Sequence, residues 1–147
     1  MAIEPTSTAQ TASPTRKASW RDRVATGLML MSAVGAFVSF ISAIGDSVNA
    51  GPATQVVEIW RMYGFCVFGG LFLLLAIFPR RYPGIWELVI LDKAALAVTG
   101  LVLLGHGVKD ALTILIADGT LALVIVLAYI LTRGYSSWGM LRTSESK

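Results

Sequence analysis

Apolar residues in this chain come in four long blocks separated by short polar connections. The first block runs over residues 24–45 without a charge between Arg23 and Asp46. The second contains an uncharged run from Met62 to Pro79, bounded by Arg61 and Arg80. The third covers about residues 85–105 and the fourth 111–132. A bilayer core takes about 20 apolar residues of helix at 1.5 Å rise each, so every block is long enough to span it. With connections this short, sequence neighbours must pack antiparallel. The pattern predicts an all-α integral membrane protein: an antiparallel up-down four-helix bundle. Its helices are expected at about 24–45, 56–78, 85–105 and 109–132, in one domain over residues 20–135.

The flanks are different in kind. Residues 1–19 are dominated by Thr, Ser, Ala and Pro, too polar to bury enough surface to offset their ordering entropy, and are expected to be disordered. Residues 136–147 read as a short tail. Val48-Asn49-Ala50 loosely resembles a signal-peptidase site, but the apolar run before it exceeds the 7–15 residues of a signal peptide, so the first helix reads as a retained anchor. Asp46, Ser47, Asn49, Gly51 and Pro52 are expected to form a loop. Pro79 and Pro83-Gly84 should end the second helix and make a tight turn. Tyr82, Trp86, Tyr135 and Trp138 at one interface, with Trp20 and Trp60, suit a belt of amphipathic rings at the headgroups.

Composition agrees with the pattern. Hydrophobic residues make up 55% of the chain and mean hydropathy is +0.69, more than a soluble core of this size requires. The pI of about 9.3 would point to nucleic acid in a soluble protein. Here topology accounts for the excess charge, and no nucleic-acid partner is expected. Arg16, Lys17, Arg21, Arg23, Arg80, Arg81, Arg133, Arg142 and Lys147 all fall on one side of a four-pass chain. The opposite connections carry only Lys109. Basic flanks favour the cytoplasmic face, so both termini are expected there.

One stripe of the first helix carries Ser32, Gly35, Ala36, Ser39, Ala43 and Asp46. Small residues four apart permit close helix approach in lipid, so Gly35 and Ser39 are expected to pack against a neighbour. The other reading is a polar wall facing an internal cavity. The charges within the apolar blocks carry the candidate chemistry. Glu58 and Arg61 share a face of the second helix. Asp92 and Lys93 lie about 10 Å into the third by helical rise. Thr99 and His106 continue Asp92 at intervals of seven. Asp118 is isolated within the fourth helix, with Tyr129 on its face.

An ionised group at mid-bilayer costs about 2.5–3.5 kcal/mol or more, so these residues should face inward and pair. Depth predicts a network of Glu58, Arg61, Asp92, Lys93 and Asp118, with Asp118 preferring Arg61 over Lys93 and His106 at the outer mouth. Such a network either fixes helix register or lines a pocket. The lone Cys66 is a packing residue, and with one histidine the chain offers no metal-ligand spacing. No nucleotide-binding or nucleophile-elbow motif is present.

Arg61-Met62-Tyr63-Gly64, the apolar run with paired glycines after it and the glycine-rich end of the third helix resemble the DoxX-like superfamily of small bacterial membrane proteins. The likeness covers roughly residues 56–131. It implies a bacterial inner-membrane location and an accessory role in a membrane or quinone-linked redox system. No cofactor is evident from the residues themselves, and quinone is the one the resemblance admits. The residues alone leave three functions open. One is a noncatalytic subunit acting through a membrane partner or a second copy of itself. Another is a binder of a small ligand or lipid. The third is a membrane-embedded isomerase or cyclase, with Asp118 or Glu58 as general acid. A carrier is disfavoured, because inverted repeats and broken helices are not visible.

Overall fold

The computed structural model describes residues 19–139. The expected disorder of the N-terminal tail and the stretch beyond Gly139 therefore lie outside the described residues, apart from Ser19. Four helices follow in order: α1 (Trp20–Asn49), α2 (Gln55–Ile77), α3 (Ile85–Gly105) and α4 (Ala111–Thr132). All four are long and apolar enough to cross a bilayer, and the chain is a multi-pass all-α membrane protein.

Local chemistry sets the ends. At the start of α1, Ser19 and Asp22 form a capping box: Ser19 Oγ accepts from the Asp22 amide at 3.3 Å, and Asp22 Oδ2 accepts from the Ser19 amide at 3.3 Å. The 30 residues of α1 measure about 45 Å, so it projects beyond a hydrocarbon core of about 30 Å. It also runs past its expected end. Asp46, Ser47 and Asn49 are helical rather than loop, because Ser47 Oγ donates to the Ile44 carbonyl at 2.9 Å and Asn49 Nδ2 to that of Gly45 at 2.8 Å. Polar residues that read as a turn here bond back into the helix. Gly84 precedes α3 with φ +87°, a conformation that favours glycine. After α4 the chain does not leave as a free tail. A 3₁₀ helix, Gly134–Trp138, folds back onto the bundle.

α1 packs along α2 and α3 along α4; α1 also meets α4, while α2 and α3 scarcely touch. The shared core gathers Ala25, Met29 and Ala33 from α1 with Phe72, Leu75 and Ala76 from α2. Trp86 and Val89 of α3 and Ile125 and Ala128 of α4 complete it. All of these sit in the half of each helix nearest the termini. Trp86 belongs to this core rather than to an interfacial belt: it is 1% exposed and its Nε1 donates to the Pro79 carbonyl at 2.8 Å. Trp20 and Trp60 are exposed, as ring anchors should be.

In the far half, burial comes from contacts within each hairpin. Ala43 and Ser47 are buried in the first, with Ser47 Oγ 3.7 Å from Met62 sulfur. Gly100 and Ala111 are buried in the second. The two hairpins thus touch at the terminal end and part toward the far end.

That end is closed by polar ties. Arg80 pairs with Asp22 and its Nε donates to the Thr132 carbonyl at 2.6 Å, linking the α2–α3 turn to α1 and α4. Glu87 accepts from Tyr129 at 2.7 Å and from Trp138 Nε1 at 2.9 Å, so one carboxylate fastens α4 and the 3₁₀ helix to α3.

A cleft between the hairpins

The parting of the hairpins leaves a cleft of about 990 Å³. Its floor, in the terminal half, is Leu28 of α1, Phe72 of α2 and Val124 of α4. Phe65 and Phe68 add ring walls from α2, and Leu96 adds an aliphatic wall from α3. The α1 wall is the small-residue stripe: Ser32, Gly35, Ala36 and Ser39. This corrects the expectation that Gly35 packs against a neighbouring helix. A Cβ at Gly35 would have no heavy atom within 4 Å, and the residue is exposed. The packing face of α1 is instead the adjacent row Ala25, Met29, Ala33 and Ala43. Close helix approach occurs elsewhere. A Cβ at Gly100 would come within 2.8 Å of the Leu115 amide nitrogen, and one at Gly69 within 3.0 Å of the Phe37 ring.

Charges sit on both sides of the cleft in two separate clusters. On the second hairpin, Lys93 Nζ lies 3.1 Å from Asp118 Oδ1 and 3.2 Å from Asp92 Oδ2. Lys93 is 7% exposed, and its ammonium stands 3.7 Å from the centroid of the Phe68 ring on the opposite hairpin. This cation–π contact bridges α2 and α3, which otherwise barely meet. On the first hairpin, Arg61 Nη2 contacts Asp46 Oδ2 at 2.8 Å and Glu58 Oε2 at 2.6 Å. Glu58 Oε2 and Asp92 Oδ2 are solvent-inaccessible and meet their cations as ion pairs without an aligned hydrogen bond.

The expected single network is therefore two. Arg61 and Asp118 both line the cleft, but Asp118 takes Lys93 and Arg61 is held by Asp46 and Glu58 of its own hairpin. The physical reason is the parting of the hairpins, which separates residues that share a depth layer. Asp46, which the sequence places both on the α1 stripe and in the following loop, joins the first cluster through Arg61. His106 caps α3 through its backbone amide and is exposed, away from both clusters. Thr99 is exposed too, so the heptad stripe from Asp92 does not line the cleft. Glu87 carries the most densely bonded carboxylate of the second hairpin and was not singled out. Its signal was available, since a glutamate in the first turn of an apolar helix faces an aromatic-rich partner end.

Among the described residues, no three of His, Cys, Asp and Glu converge as a metal ion would require. Chemically, the cleft offers apolar, ring-lined walls with a charged carboxylate–ammonium pair at the level of Phe68 and Arg61 farther out. No family model matches this chain, and no curated protein or solved structure matches it.

Proposed function

We propose that this protein is a membrane binding protein that takes an amphipathic small molecule or lipid into the cleft between its hairpins. The observation that carries this reading is the Lys93–Asp118 pair at the wall of a largely apolar space. A charged pair in hydrocarbon is costly and has to be offset by its surroundings. This one is largely buried, yet both of its residues line the cleft, where a ligand's polar head would add to that offset. Pockets for small ligands share its form: apolar walls with a few convergent polar groups, and a size of 300–1,000 Å³ or so. A ligand would lay its apolar body on Phe65, Phe68 and Phe72 and set its polar head against the pair. The basic flanks favour cytoplasmic termini, which would open the cleft toward the outer leaflet.

The quinone-linked accessory role implied by the DoxX-like resemblance remains a second reading, favoured by the three phenylalanine rings on which a quinone ring would stack. Both readings are tested by native mass spectrometry of the protein released from mild detergent. Wild type should carry a bound small molecule or lipid that Gly64→Phe lacks. Gly64 lines the cleft and a Cβ there meets nothing within 4 Å, so the ring fills the space without displacing a helix. Identical adducts on both proteins would remove the cleft as the site.

A further inference from the structure

The charge of the cleft narrows the ligand class. Arg61, Lys93 and Asp118 line the cleft, while Asp46, Glu58 and Asp92 pair with the two cations from outside that lining. Each cation is thus held by two carboxylates, so an anionic head would have to displace one of these to gain a partner. A second observation is independent of these pairings. A cation already occupies the best position in the cleft: the Lys93 ammonium rests on the Phe68 ring face at 3.7 Å, with the Asp118 carboxylate at 3.1 Å. An aromatic face beside a carboxylate is the arrangement that recognises organic ammonium groups, and here the chain fills it with its own side chain.

The geometry points to a hydrophobic cation, an amine or onium group on an aromatic or aliphatic body, as the occupant of this cleft. The inference rests on the cleft being a ligand site at all, and it names the ligand's charge. The cation takes the place of Lys93 Nζ between Phe68 and Asp118, and its body lies over Phe72 toward the floor. Lys93 is then a tethered competitor, held in place until a ligand displaces it. Its flexible four-carbon stem lets the ammonium swing aside and stay paired with Asp92.

Isothermal titration of the purified full chain in a neutral detergent tests this with three probes: tetraphenylphosphonium, tetraphenylborate and a decyl-chain quinone. The phosphonium should bind at least about tenfold more tightly than the other two, about 1.4 kcal/mol. Asp118→Asn should weaken phosphonium binding tenfold or more. Lys93→Met should strengthen it several-fold, because the resident ammonium is gone while its carboxylates remain. A site that used Lys93 as a donor would lose binding instead, and that result overturns the inference. If Lys93→Met does not fold, Phe68→Leu reads the same cage: it should reduce the preference for phosphonium over quinone. Equal or tighter binding of the quinone or the borate rejects the cationic ligand and leaves the cleft standing. Failure of all three probes to bind rejects the cleft reading as well.

Discussion

At the scale of single residues, the interior charges were legible and their pairing was not. Glu58, Arg61, Asp92, Lys93 and Asp118 stand out because each interrupts an apolar block. Helical rise gives their depths, and Arg61 and Asp118 come out near one layer. Depth says nothing about rotation or about which hairpins close up, and those decide that Asp118 meets Lys93 at 3.1 Å. A double-mutant cycle separates the two assignments. Asp118→Asn and Lys93→Met should each destabilise by up to about 3 kcal/mol, because each strands a buried charge. Combined, they should fall short of the sum by about 0.5–3 kcal/mol. Asp118→Asn with Arg61→Gln should add within about 0.5 kcal/mol. The reverse pattern, read from chemical or thermal unfolding in detergent, would restore the Arg61 pairing.

At the scale of elements, the helices themselves were fixed by run length, and their order and antiparallel pairing by the short connections. Their ends and faces were less so. Asp46, Ser47 and Asn49 have turn chemistry, yet side-chain bonds to preceding carbonyls keep them in α1. Trp138 lies in what reads as a tail, yet its indole N–H reaches Glu87. Nor does a stripe of small residues reveal whether it meets a helix or a cavity. Gly35 and Gly100 look alike in sequence, but one faces open space and the other lies on the Leu115 backbone. Gly100→Leu should therefore force α3 and α4 apart and cost about 1–3 kcal/mol, the usual range for overpacking. Gly35→Leu should leave the midpoint of thermal unfolding unchanged. Equal losses at both positions would mean that the α1 stripe is a packing face after all.

At the scale of the whole molecule, four apolar blocks were enough for an all-α membrane bundle, but not for its open far half. The reason is physical. Lipid tails are as apolar as leucine, so a lipid-facing helix surface and a hydrophobic cleft wall carry the same composition. What sets the shape is where large residues cluster. Trp86, Phe72 and Met29 fill the terminal half, and Arg80, Glu87 and Trp138 tie it shut. The small residues of α1 and the two charge clusters lie from mid-height toward the far end, where Lys93 on the Phe68 ring bridges hairpins that otherwise part. The central claim is that this open half admits a hydrocarbon-bodied ligand. The most direct measurement is photolabelling in lipid nanodiscs with a long-chain amphiphile bearing a diazirine at its tip, mapped by peptide mass spectrometry. Adducts should concentrate on the cleft residues Phe65, Phe68 and Leu121, above the level at Leu123, which is 74% exposed and does not line the cleft. Gly64→Phe should abolish the cleft adducts and spare those at Leu123. Labelling of the cleft residues no stronger than at Leu123, or unchanged by Gly64→Phe, would contradict the account.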